Sequence, residues 1–223
     1  MKVKVGVSNK HIHLSMEDKN ILFGNDYVLK EKRRLSQDNN YACYETVNLI
    51  NNDKKIENIR VIGPERTYTQ VEVSKDDAYI LGINPPYRNS GDLNDAIEVI
   101  IEGPKESIKR KCVILSNKHI HMTREIAKKE GYENDDIVSV RLNDNTIMDD
   151  VHIKISIGDY PELHIDTNDS KEYKLSTGDI VEILKYGNRI KNWRKLYRSI
   201  RNDIEYKIFN IFEITCISCH FFL

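Results

Sequence analysis

The chain has 223 residues, 39% of them hydrophobic and 31% charged, enough for one large domain or two small ones with a modest core and a well-solvated surface. Lys and Arg (34) nearly balance Asp and Glu (35), leaving a formal net charge of −1, which excludes a nucleic-acid partner held by a broad basic face. No apolar run reaches transmembrane length, and the opening Met1-Lys2-Val3-Lys4-Val5-Gly6-Val7 alternates like a strand instead of forming the apolar centre of a signal peptide. A soluble cytoplasmic protein with no membrane partner is expected.

The first element is that opening strand. It leads into Ser8-Asn9-Lys10-His11-Ile12-His13, and Ser15 then suits a helix N-cap, with acids in the first turn and Gly24 as the stop. Strand-like runs follow at Tyr27 to Leu29, Thr46 to Ile50 and Ile59 to Ile62. Thr69-Gln70-Val71-Glu72-Val73 precedes Ser74-Lys75-Asp76-Asp77, a pattern like a capping box, with Gly82 as its stop. Asn84-Pro85-Pro86-Tyr87 and Ser90-Gly91-Asp92 read as a loop before a strand at Ile97 to Ile101.

The chain then starts again. Ser116-Asn117-Lys118-His119-Ile120-His121 repeats the first hexapeptide residue for residue, and Thr123 and Gly131 repeat its capped helix. Strand signals recur at Ile137 to Arg141, Val151 to Ile157 and Asp179 to Leu184. Pro161-Glu162-Leu163-His164-Ile165 can be laid beside Thr69 to Val73, which sets His164 opposite Glu72. Many short strands with a repeat predict a mainly β protein with short helices: two related β-barrel domains, residues 1–105 and 106–187, packed pseudo-symmetrically around a metal-containing cleft. Residues 188–223 read as an atypical C-terminal extension.

The chemistry lies in the histidines. Residues i and i+2 of a strand face one way, so each His-x-His pair can converge on one ion. Imidazole is a strong zinc ligand, and an open catalytic site needs three protein ligands. The repeat supplies a third in each half: His11, His13 and Glu72 for one ion, His119, His121 and His164 for the other. His152 has no evident counterpart in the first half and reads as a surface or packing residue. Cys43 and Cys112 sit in strand-like runs and read as small buried residues. With no export signal in view, a disulfide framework is not expected. Cys216-Ile217-Ser218-Cys219-His220 has the spacing of a c-type haem site, but on the same ground it reads as no more than a weak adventitious metal site. Arg66, by itself, reads as a surface arginine near Glu72.

These segments resemble the phosphate propanoyltransferases, the phosphotransacylases of propanediol-utilisation type. The resemblance rests on the two hexapeptides, on Gly63-Pro64-Glu65-Arg66 leading to Thr69 to Ser74, and on Leu163-His164-Ile165-Asp166-Thr167. It covers roughly residues 3 to 185. It implies two zinc ions held by the six residues named above, a phosphate-contacting role for Arg66, and positions near coenzyme A for Ser8 and Arg60. The implied reaction converts acetyl- or propanoyl-CoA plus inorganic phosphate to acyl phosphate plus CoA. Other readings are a zinc-dependent thioester hydrolase and a non-catalytic metal-binding or scaffold protein. A homo-oligomer and association with a bacterial microcompartment are compatible with the sequence, although no targeting extension is seen and the tail after Leu184 departs from the family.

Overall fold

The computed structural model describes residues 1–36, 39–156 and 161–184, and residues 1–183 form one compact unit. The extension, with its Cys216–His220 motif, lies outside the described residues. The first half runs β1 (Lys2–Val7), β2 (His11–His13), α1 (Met16–Phe23), β3 (Glu31–Arg34), β4 (Tyr41–Asn51), β5 (Lys54–Gly63), β6 (Gln70–Val73), α2 (Lys75–Leu81), β7 (Tyr87–Arg88) and β8 (Ile97–Glu102). The second runs β9 (Ser107–Ser116), β10 (His119–Thr123), α3 (Arg124–Glu130), β11 (Ile137–Arg141), β12 (Ile147–Ser156), β13 (Glu162–Ile165), α4 (Thr167–Tyr173) and β14 (Ile180–Leu184). No described helix is long and apolar enough to cross a membrane.

The strands close two barrels, as the short, turn-punctuated runs predict. One is the ring β4-β5-β2-β6-β9-β8, which returns to β4; the other is β1-β13-β10-β12-β11-β14. Sheet membership crosses the 105/106 line in both directions. β1, the leading strand of the first repeat, pairs with β13 and β14. β9, the leading strand of the second, pairs with β6 and β8. The exchange is reciprocal in register: Gly6 lies opposite His164 as Ile114 lies opposite Glu72.

Alternation along each strand decides what faces where. Ile12 and Ile120 are fully buried among aliphatic residues of their own barrels. Their flanking histidines therefore point out of the barrel. Val71 and Val73, Leu163 and Ile165, and Val151 and Ile153 likewise face the cores, which leaves Glu72, His164 and Lys154 on the outer face. Burying each such aliphatic side chain stabilises the fold by about 1.5–3 kcal/mol, so the imidazoles are aimed by the packing of their neighbours.

The caps behave as predicted. Ser15 and Thr123 accept from Asp18 and Ile126 N–H groups, and Ser74 and Asp77 form the full capping box. Gly131 adopts the left-handed conformation (φ 75°, ψ 35°), whereas Gly24 stops α1 at φ 110°, ψ 153°, a region only glycine enters readily. Two local expectations are corrected, and one further helix is added. Tyr27 to Leu29 is not a strand: Lys19 Nζ donates to the Tyr27 carbonyl and the Lys30 N–H donates to Glu45, so side chains take the backbone groups a sheet would need. The Asn84–Asp92 loop contains β7, which pairs with β9. α4, capped by Asp166, follows β13 as α2 follows β6.

Candidate active site

The hexapeptide does more than carry two imidazoles. In each copy the asparagine carbonyl two residues before the first histidine accepts from that ring: Asn9 O lies 2.9 Å from His11 Nδ1, and Asn117 O 2.8 Å from His119 Nδ1. A proton fixed on Nδ1 leaves Nε2 as the ligand atom. His119 Nε2 is 3.1 Å from His121 Nε2, and one ligand atom from each of His119, His121 and His164 lies within 4.8 Å of the others. In the first barrel His11 Nε2 is 3.7 Å from Glu72 Oε2, and the His11 and His13 rings meet edge to face, centroids 5.1 Å apart. Nitrogen and oxygen donors about 2.0–2.2 Å from a tetrahedral zinc stand about 3.3–3.6 Å from one another. The second set converges as such an ion needs, and in the first the His11–Glu72 pair stands close to that separation.

The register sets the two expected third donors at equivalent positions. In antiparallel register Glu72 lies opposite His11, and His164 opposite His119. The register also gives His152 a partner position in the first half, contrary to the sequence comparison: it pairs with His119 as Arg60 pairs with His11.

Electrostatics suit metal binding. Burial, aided by neighbouring positive charge, lowers the pKa of His13, His119 and His121, so these rings are neutral near pH 7 and ready to donate lone pairs. Among the described residues the buried His13 Nδ1 has no partner at full hydrogen-bonding distance, which suits a ligand atom. Burial alone would raise the Glu72 carboxyl. The influence of His11, His119, Lys154 and Arg66 outweighs it and holds Glu72 ionised below the usual carboxylate range. His119 belongs to the other barrel, so the two donor sets are electrostatic neighbours.

All six predicted ligands line one cavity of about 730 Å³, together with Ser8, Arg60 and Arg66. Arg66 is pinned by its backbone, its N–H donating to Leu14 O at 2.8 Å. Among the described residues its guanidinium makes only long hydrogen bonds, 3.5 Å to Tyr68 Oη and 3.4 Å to Ser90 Oγ, so its donors stay available to a ligand. Arg60 Nη1 donates to the Cys43 and Tyr44 carbonyls at 2.9 and 2.8 Å, which braces β4 against β5. The Ser8 N–H donates to Ile165 O at 2.8 Å, placing Ser8 beside the second donor set. Cys43 and Cys112 are buried with thiols pushed up to about 12 by burial, inert at neutral pH.

A family model described as phosphate propanoyltransferase matches residues 4–176, a span that holds all six donors. The chain belongs to the phosphate propanoyltransferase family. Among the relatives bearing that name, the Thermotoga maritima protein is 42% identical over 186 residues, 82% of this chain and 89% of the relative. The Rhodopseudomonas palustris protein is 40% identical over 187 residues, 82% and 83% of the two chains. The Priestia megaterium protein is 41% identical over 180 residues, 79% and 83%. This is a transferase family.

Against that background, several residues of this family member were missed in the sequence. Gln70 and Glu162 each sit two residues before a third donor, hence on the same strand face. Gln70 Nε2 donates to Glu72 Oε1 at 2.7 Å and to Ser90 Oγ at 3.0 Å, while its Oε1 accepts from the Gly91 N–H. Glu162 Oε2 lies 2.7 Å from His164 Nε2 and accepts from Ser36. The i−2 spacing was the available signal. Lys32, Arg33 and Arg34 of β3 also line the cavity, and a strand of consecutive charges gave no hint of it.

Proposed function

We propose that this chain catalyses acyl-CoA plus inorganic phosphate giving acyl phosphate plus CoA, with a zinc ion in each donor set. Support comes from one observation above all: two three-donor sets from different barrels share a single cavity with Arg66. Membership of a family whose relatives are named phosphate propanoyltransferases points the same way.

Bound zinc would supply Lewis acidity toward an oxygen and a soft partner for a thiolate. The protein's own residues do the rest. His11, His13 and Glu72 would hold one ion, and His119, His121 and His164 the other; burial keeps His13, His119 and His121 neutral near pH 7, and Glu72 is held ionised. Arg66 offers a planar pair of donors to phosphate oxygens. Phosphate is anionic near neutral pH, so its attack needs positioning and charge neutralisation more than a dedicated base. The basic edge of β3 gives the polyanionic CoA a wall of matching charge. Acetyl and propanoyl groups are both accommodated in this reading, since one methylene changes binding by only about 1–3 kcal/mol.

Elemental analysis run beside a thiol-release assay tests the reading. Two zinc ions per chain and release that requires phosphate, with acetyl- or propanoyl-CoA, are expected. Release at the same rate without phosphate would instead identify a thioester hydrolase.

A further inference from the structure

Lys154 stands out among the cavity residues. It lies on β12, where Val151 and Ile153 face the barrel core, so Lys154 faces out. Its Cα pairs with that of His121, and it lines the same cavity as Arg66 and both donor sets. Its side chain is partly withdrawn from solvent. Among the described residues its ammonium has no hydrogen-bond or ion-pair partner.

The fold does not require an amine there. Extending the first barrel's register by one residue from Ile12 opposite Val61 puts Ile62 at the equivalent place, and Ile62 lines the cavity too. An aliphatic side chain therefore satisfies the frame. An ammonium at this position meets unfavourable surroundings: burial opposes its charge most, Arg66 opposes it further, and Glu72 and Asp135 favour it. Glu72 is already committed to His11 and Gln70. A buried cation left unpaired beside another cation is costly, and the cost falls when an anion enters between them.

We infer that Lys154 is a further catalytic residue, whose ammonium contacts the phosphate substrate from the second barrel while Arg66 contacts it from the first. The inference rests on the phosphate-transfer reading above. Two cations supplied by different barrels to one cavity would fix the anion's position and orientation, and neither alone would do both.

The test uses metal-loaded protein with inorganic phosphate and acetyl-CoA. Lys154→Met keeps the length and removes the charge. It should raise the KM for phosphate about tenfold or more, leave the KM for acetyl-CoA within about twofold, and retain wild-type zinc content. Lys154→Arg should recover most of the loss. A Lys154→Met protein with wild-type phosphate KM overturns the assignment, as does a fall in kcat with that KM unchanged. A measurement on the wild type avoids any folding defect: saturating phosphate should shield the Lys154 amine from an amine-acylating reagent, read by peptide mass spectrometry. Labelling that phosphate does not slow also overturns it. If wild-type thiol release needs no phosphate, the phosphate-transfer reading itself falls; a phosphate-dependent wild type beside an unaffected Lys154→Met removes only the role of Lys154.

Discussion

The two barrels carry one frame with the charge in different places. In the first, the third donor is the carboxylate of Glu72 and an amide, Gln70, stands behind it. In the second, the third donor is the imidazole of His164 and a carboxylate, Glu162, stands behind it. The first set thus has two imidazoles and a carboxylate, the second three imidazoles with a carboxylate one side chain farther from where an ion would sit. A carboxylate in direct contact neutralises a metal more than one acting through a ring. The second centre should therefore be the stronger electrophile, and the first the better seat for a metal that must release its ligand.

The largest expected effect comes from breaking a donor set outright. His119→Ala should lower bound zinc and reduce acyl transfer to background; full activity with metal absent would reject metal catalysis. Next is Arg66→Ala, expected to lower kcat/KM for phosphate about 10²–10³-fold while zinc content stays near that of the wild type. Loss of both metals in that variant would defeat its assignment to phosphate. Smaller, and aimed at the comparison itself, is Glu162→Gln. It should weaken metal at the second centre about 10–100-fold and leave the first untouched, as seen by competition with a chelator. Equal weakening at both centres would mean the outward carboxylate is not what distinguishes them.

The mildest test is pH. In the metal-free protein His13, His119 and His121 have pKa values below their ordinary 6.5, so below that value the unfolded chain binds more protons than the folded one. Stability is fully present above about pH 6.5 and is lost as pH falls. With two such rings to the first barrel's one, the second should loosen first, and hydrogen exchange read barrel by barrel would show the order. Identical acid sensitivity would argue against this difference.

Much of the site was legible because it depends on local spacing. The duplicated Ser-Asn-Lys-His-Ile-His reads as two aimed pairs, since an isoleucine between two histidines on a strand can hide only one way. Laying Glu72 beside His164 needed only the repeat. Lys154 was not legible, because a lone lysine on an alternating strand looks like any solvated face until the fold sets it in one cavity with Arg66. His152 seemed unmatched because Arg60 shares its register and none of its chemistry. Tyr27 to Leu29 has strand composition, yet Glu45 and Lys19, distant or unremarkable in sequence, claim its backbone. The traded strands left no trace either, since strand pairing is set by long-range contacts that a linear pattern does not record.

That trade has a corollary for how such a molecule can be built. Each repeat supplies five staves of its own barrel and lends the sixth to its neighbour. A half-length chain could not close on itself, but two copies lending to each other would make a complete symmetric pair with both donor sets alike. Joining the copies end to end frees each to change alone, which is the condition under which one seat can keep glutamate and the other take histidine.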